Sequence, residues 1–122
     1  MNRTVALPDN WYLSEGESPR KKAGGFLKKP VFLPVNKEGV YTLSRKFICP
    51  KQINDTVTVY FTGNYSSLEV YASGKRLSEE KDEEGRTVFD VTSALRKGST
   101  VISAVVKGGN TEAFYFRVKR KE

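Results

Sequence analysis

The sequence predicts an all-β protein, an antiparallel sandwich of jelly-roll or immunoglobulin type with seven or eight short strands and one helical turn. Two observations carry this. Period-two alternation recurs along the 122 residues while helical periodicity occurs once, and turn residues punctuate the alternating runs. No cysteine pair flanks Trp11, which disfavours a true immunoglobulin domain, and no repeat suggests a solenoid or propeller. The length suits a single domain spanning residues 1–122.

Taken in order, Arg3 to Leu7 reads as a first strand, and Pro8-Asp9-Asn10-Trp11 as a turn that delivers a tryptophan. Leu13 to Lys29, rich in Ser, Gly, Glu and Lys, reads as a long surface loop. Val31 to Val35 lies between Pro30 and Pro34, which restricts it to an edge or irregular strand. Val40 to Ile48 places Tyr41, Leu43, Arg45 and Phe47 on one face, so Arg45 requires a buried partner. Thr56 to Phe61 has the composition of a central strand, and Gly63-Asn64 supplies the turn that ends it. Tyr65 to Ala72 follows, then a tight Ser73-Gly74 turn into Lys75-Arg76-Leu77. Glu79 to Gly85 is polar on every face and reads as a solvated loop. Arg86 to Val91 is a strand. Thr92 to Gly98, with threonine as N-cap, basic residues in the last turn and a glycine after it, is the helical turn. Thr100 to Val106 and Glu112 to Val118 complete the set, joined by Gly108-Gly109-Asn110. The expected core is Tyr41, Phe47, Val59, Phe61, Leu68, Val70, Phe89, Leu95, Val105 and Phe116, packed between two sheets.

Composition removes several classes of function. Histidine is absent, which excludes histidine-based triads, His-ligated zinc and most proton shuttles near neutral pH. The single Cys49 forms no intramolecular disulfide or thiolate cluster. No cofactor and no metal is expected. No run of about 18 apolar residues exists, so no membrane partner is expected. Pro8 interrupts the start before a signal-peptide core forms; if the chain is complete as written, this places it in the cytoplasm. The formal charge of +7 lies mostly in residues 1–60, with ten basic and five acidic groups. The clusters Arg20-Lys21-Lys22, Lys28-Lys29 and Lys119-Arg120-Lys121 suit phosphates, but interposed acids and the lack of an aromatic-basic strand argue against nucleic acid. Asn2-Arg3-Thr4, Asn54-Asp55-Thr56 and Asn64-Tyr65-Ser66 match the glycosylation pattern, which arises readily by chance. The acids Asp82, Glu83 and Glu84 sit too close together in one loop to hold the carboxylate spacing of a glycosidase.

Four blocks fall in an order that resembles a known family. Leu7-Pro8-Asp9-Asn10-Trp11 resembles the Leu-Pro-x-x-Trp opening of the N-terminal sugar-binding domain of glycoside hydrolase family 2, the β-galactosidase and β-glucuronidase family. Gly39-Val40-Tyr41 through Phe47, preceded by Phe32-Leu33-Pro34-Val35-Asn36, is similar to a Gly-x-Tyr strand of that domain. Val59-Tyr60-Phe61-Thr62-Gly63 through Leu68-Glu69-Val70-Tyr71 to Gly74-Lys75 is similar to its Phe-x-Gly strand and following hairpin. Phe89-Asp90-Val91-Thr92 to Leu95 and Gly98 is similar to its Phe-Asp-Val-Thr motif. The resemblance implies a jelly-roll, galactose-binding-domain-like sandwich of about eight strands.

It also implies a non-catalytic carbohydrate-binding or structural accessory domain, whose partners are a carbohydrate and a catalytic barrel not present in this chain. In relatives a polar residue just after the Phe-x-Gly strand reaches the sugar; Tyr65 stands there with Asn64 beside it. Departures include the acidic run at Glu79 to Glu84 and a final stretch that passes straight from Gly109 to Glu112-Ala113-Phe114. The expected sugar-binding residues are Tyr65, Asn64 and Trp11, with the Asn64-Tyr65 turn, the Trp11 corner and the Glu79 to Gly85 loop converging at one end; Tyr65 and Tyr71 together also suit a stacking platform. The alternative is a protein- or polyanion-interaction module that keeps the fold without a sugar site.

Overall fold

The computed structural model of the protein describes residues 2–21, 29–48, 55–96 and 98–119. Cys49, Asn54 and the basic residues Lys22, Lys28, Arg120 and Lys121 lie outside them. Among the described residues two five-stranded sheets, antiparallel throughout, pack as a sandwich. The first has the order β1 (Asn2–Ala6), β10 (Asn110–Lys119), β4 (Thr56–Asn64), β8 (Thr87–Asp90), β7 (Glu79–Lys81). The second has the order β2 (Tyr12–Glu15), β3 (Val40–Phe47), β9 (Thr100–Lys107), β5 (Ser67–Ala72), β6 (Lys75–Arg76).

The central strands are the ones whose alternation buries large side chains. Tyr41, Leu43 and Phe47 of β3 join Val57, Val59 and Phe61 of β4, Val70 of β5 and Phe114 of β10 in one apolar core. Register supports this directly: Phe61 lies opposite Phe114, and Val59 opposite Phe89. The helix α1 (Thr92–Arg96) sets Leu95 into the same core. Arg45, on the apolar side of β3, finds its partner in the loop before β2: its Nε donates to the Asp9 carbonyl at 2.9 Å.

Several expectations need correction. Among the described residues the strands number ten, because two segments read as loop are paired. Tyr12–Glu15 pairs with Ser44 to Tyr41, and Glu79–Lys81 pairs with Phe89 to Thr87. Thr92 is not the helix cap. Its hydroxyl turns inward, accepting from the Val57 amide at 2.8 Å, while the Asp90 carboxylate takes the Thr92 amide at 2.9 Å. Leu68 and Phe116 are only partly buried at the core margin.

Val105 is buried, but outside the core between the sheets. All of β9 from Thr100 to Val106 is buried on both faces, whereas a sandwich strand ordinarily shows one face to water. The cover comes from the segment after β2. Thr42 Oγ1 donates to the Gly16 carbonyl at 2.7 Å and accepts from the Ser18 amide at 2.9 Å. The Arg20 amide then donates to Ser103 Oγ at 3.0 Å, and Lys21 packs across Gly74. Residues 16–21 thus cross β3 and β9 as a strap, and the outward hydroxyls of Thr42, Ser44 and Ser103 satisfy buried groups that would otherwise be costly.

Candidate functional site

The link from β4 to β5 carries the chain from the first sheet to the second through Asn64, Tyr65 and Ser66. It is held against the β9–β10 turn: the Asn64 amide donates to Asn110 Oδ1 at 3.0 Å and the Ser66 amide to the Lys107 carbonyl at 2.9 Å. Tyr65 is half-buried, packs against the core, and donates its hydroxyl to the Phe61 carbonyl at 3.1 Å. Burial first, and the negative charge of Glu79 second, push its phenol above the ordinary value, so it stays a neutral donor.

Beside it lies a concavity of about 290 Å³ lined by Tyr65, Ser67, Glu69, Arg76, Glu79 and Thr87 among others. That volume sits at the small end for ligand sites, enough for one sugar ring. Of the Glu79 to Gly85 segment expected to converge on Tyr65 as a loop, only Glu79, in a strand, lines this concavity. Asn64 is exposed at the end of β4, paired with Asn110, so the strand runs through the Gly63-Asn64 pair expected to end it as a turn. Trp11 does not join them. Its indole is fully buried, with ring centroids 4.8 Å from Phe114 and 5.4 Å from Phe61, and its Nε1 donates to the Leu7 carbonyl at 2.8 Å. Packed edge-to-face among Phe47, Phe61 and Phe114 and closed to solvent, the indole corrects the expectation that Trp11 offers a stacking surface. Tyr71 is turned to its own strand neighbour, donating to Glu69 at 3.2 Å. Glu69, Arg76 and Thr87 were not singled out from sequence; only the pairing of β5 with β6 and of β7 with β8 collects them.

The acidic run does not stand free in solvent either. After β7 the turn folds over the outer face of the first sheet, where Asp82 meets Arg86 at 3.1 Å and Arg117 at 3.6 Å, Glu83 meets Lys119 at 3.0 Å, and Glu84 pairs with Arg86. The Arg86 guanidinium also stacks 4.6 Å over the Tyr60 ring, itself stacked on Tyr115. Burial alone would raise the Asp82 carboxyl. The backbone amides of Arg86 and Glu84 and the Arg86 side chain outweigh it and hold the carboxyl below its ordinary value. A depressed carboxyl stabilises the fold above its unfolded value and loses that contribution as pH falls through the folded one. In an acid titration followed by NMR, the Glu84 and Arg86 amides are therefore expected to shift with a midpoint below that of an ordinary aspartate; a midpoint above it would contradict the clamp.

No protein-family model matches the sequence, and no curated protein matches it. Solved structures do match in fold. A β-glucuronidase from Bacteroides uniformis superposes with a TM-score of 0.76 at 16% identity, covering 97% of this chain and 18% of that one. A glycosyl hydrolase family 2 member from Bacteroides cellulosilyticus gives 0.74 at 15%, covering 95% and 20%. A β-glycosidase from Bacteroides vulgatus gives 0.73 at 18%, covering 95% and 20%. The chain thus spans about a fifth of the length of these enzymes. In fold, nearly the whole chain is similar to one part of glycoside hydrolase family 2 enzymes, as the four sequence blocks led us to expect.

Proposed function

We propose that the chain is a non-catalytic accessory domain of a family 2-type glycosidase and that it contacts carbohydrate through the Tyr65 concavity. The observation that carries this is the set of residues lining that concavity: the aromatic Tyr65, the hydroxyl-bearing Ser67 and Thr87, the acidic Glu69 and Glu79, and Arg76. Sugar hydroxyls both donate and accept, and this mixture supplies partners for both. The accessory role agrees with the limited share of the matched glycosidases that the chain covers, and its partner is then a catalytic barrel carried elsewhere. A glycosidase of its own would need a proton donor and a second carboxylate at fixed spacing across a cleft; Asp82, Glu83 and Glu84 are instead committed to arginine and lysine partners.

Two measurements test this. Aryl β-galactoside and aryl β-glucuronide should show no turnover above buffer; turnover that survives repurification and disappears in Glu69→Gln or Glu79→Gln would make the chain an enzyme. A sugar that binds at the concavity should lose affinity in Tyr65→Ala, and unchanged binding would move the contact elsewhere. The second reading, an interaction module for acidic polymers, is favoured by the packing of Lys21 across Gly74 beside Lys75 and Arg76.

A further inference from the structure

Three large apolar side chains stand open to solvent among the described residues, Phe32 at 69%, Val40 at 38% and Ile48 at 74%, and Phe32 is the aromatic one. Isolated exposed apolar residues are ordinary on a surface. Phe32 differs in how firmly it is presented. The Val31 amide donates to the Trp11 carbonyl, the Leu33 amide to the Pro8 carbonyl at 2.9 Å, and the Val35 amide to the Thr111 carbonyl at 2.9 Å. Leu33 and Val35 are buried and Val31 packs on the core, so the alternation turns Phe32 outward between two fixed neighbours.

Across from Phe32, between Pro8 and Trp11, lie Asp9 and Asn10. Asn10 is exposed and holds a φ of 61°, a conformation a non-glycine side chain seldom adopts. Arg45 fixes this loop from beneath, donating to the Asp9 carbonyl and reaching its carboxylate at 3.5 Å, yet the Asp9 side chain remains 49% exposed. Two loops, each pinned to the sandwich by backbone or guanidinium bonds, are thus held side by side through the Leu33–Pro8 hydrogen bond and the Trp11–Val31 pairing, one carrying the exposed Phe32 and the other Asn10 and Asp9. Pre-ordering of this kind lowers the entropy lost on binding.

We propose that this corner is a second carbohydrate subsite, in which the apolar face of a pyranose lies on the Phe32 ring while Asn10 and Asp9 take its hydroxyls. The proposal rests on the reading of the chain as a carbohydrate-contacting accessory domain, and shares no residue with the Tyr65 concavity. A protein-docking patch would call for apolar area of some hundreds of Å²; here a single exposed ring stands on a loop paired with one that carries an amide and a carboxylate, the groups sugar hydroxyls pair with.

The test is an NMR titration of the labelled protein with methyl β-D-galactoside, methyl β-D-glucuronide and cellobiose, run on wild type, Phe32→Ala, Phe32→Trp and Tyr65→Ala. Phe32 is exposed, so its variants should melt as wild type does. Saturable shifts at residues 9–10 and 31–33, about tenfold weaker in Phe32→Ala, kept in Phe32→Trp and untouched by Tyr65→Ala, are the expected result. Shifts confined to the Tyr65 concavity overturn the second subsite and leave the accessory-domain reading standing. Shifts at neither place with any probe overturn both, and corner binding that ignores Phe32→Ala overturns the role of the ring.

Discussion

Truncating Trp11 to alanine is expected to cost about 3–5 kcal/mol, a large part of the 5–15 kcal/mol that a domain of this size commands. The cost has three sources. The indole leaves a cavity where Phe47, Phe61 and Phe114 met it, and their edge-to-face contacts with it vanish. The Leu7 carbonyl loses its donor. Trp11 also stands where the chain passes from the first sheet to the second, so β1 and β2 lose a common anchor. Equilibrium urea unfolding followed by circular dichroism measures the change, and a loss below about 1 kcal/mol would contradict this placement of the indole. Trp11→Phe should recover part of it, since a smaller ring keeps some aromatic contacts.

Gly109→Ala should be nearly as damaging, at about 3 kcal/mol, for a different reason. A Cβ at Gly109 would overlap the Asn64 carbonyl and press on the Tyr65 backbone. No rotamer relieves a clash between two backbones, so the β9–β10 turn and the β4–β5 link must separate. Tyr41, fully buried, also loses register there, because its hydroxyl lies 3.3 Å from both the Gly109 carbonyl and Thr111 Oγ1. Because the displaced link carries Tyr65, sugar binding at the concavity should fall with stability. Thermal melting and a sugar titration on the same variant test both halves; a variant that melts like wild type would show that the two turns are not in contact.

What was legible in the sequence was whatever a single strand states about itself. Tyr41, Leu43 and Phe47 of the first long strand and Val57, Val59 and Phe61 of the second fall at alternating positions, and each strand buries the face so marked. Phe89 and Leu95 fall into the core where their motif put them. What escaped depends on partners distant in sequence. β2 alternates over only four residues before Gly16, and its evidence is the β3 edge it joins. β7 holds two glutamates and a lysine with no apolar residue, so backbone pairing and the cations Arg86, Arg117 and Lys119 place it and its turn. The burial of Val101, Ser103 and Val105 on the outer face of β9 follows from a strap whose Arg20 tie spans 83 positions. For the candidate site, Tyr65 was readable from its place after Phe61 and Gly63, whereas Glu69, Arg76 and Thr87 come to it only through the pairing of β5 with β6 and of β7 with β8. Trp11 was readable as a corner residue, but which aromatic of that corner meets solvent is decided by the register of Val31 and Leu33 against Trp11 and Pro8.

Salt dependence separates the two functional readings most directly. Calorimetric titration with cellobiose, methyl β-D-galactoside and poly-L-glutamate at about 50 mM and about 500 mM NaCl compares contacts that ignore screening with those that depend on charge. The expected result is sugar binding whose affinity changes by less than about twofold between the two conditions, as hydrogen bonding and ring contact require. No sugar bound at either concentration, with poly-L-glutamate held at low salt and released at high salt, would contradict a carbohydrate-contacting domain and leave a charge-driven interaction module in its place.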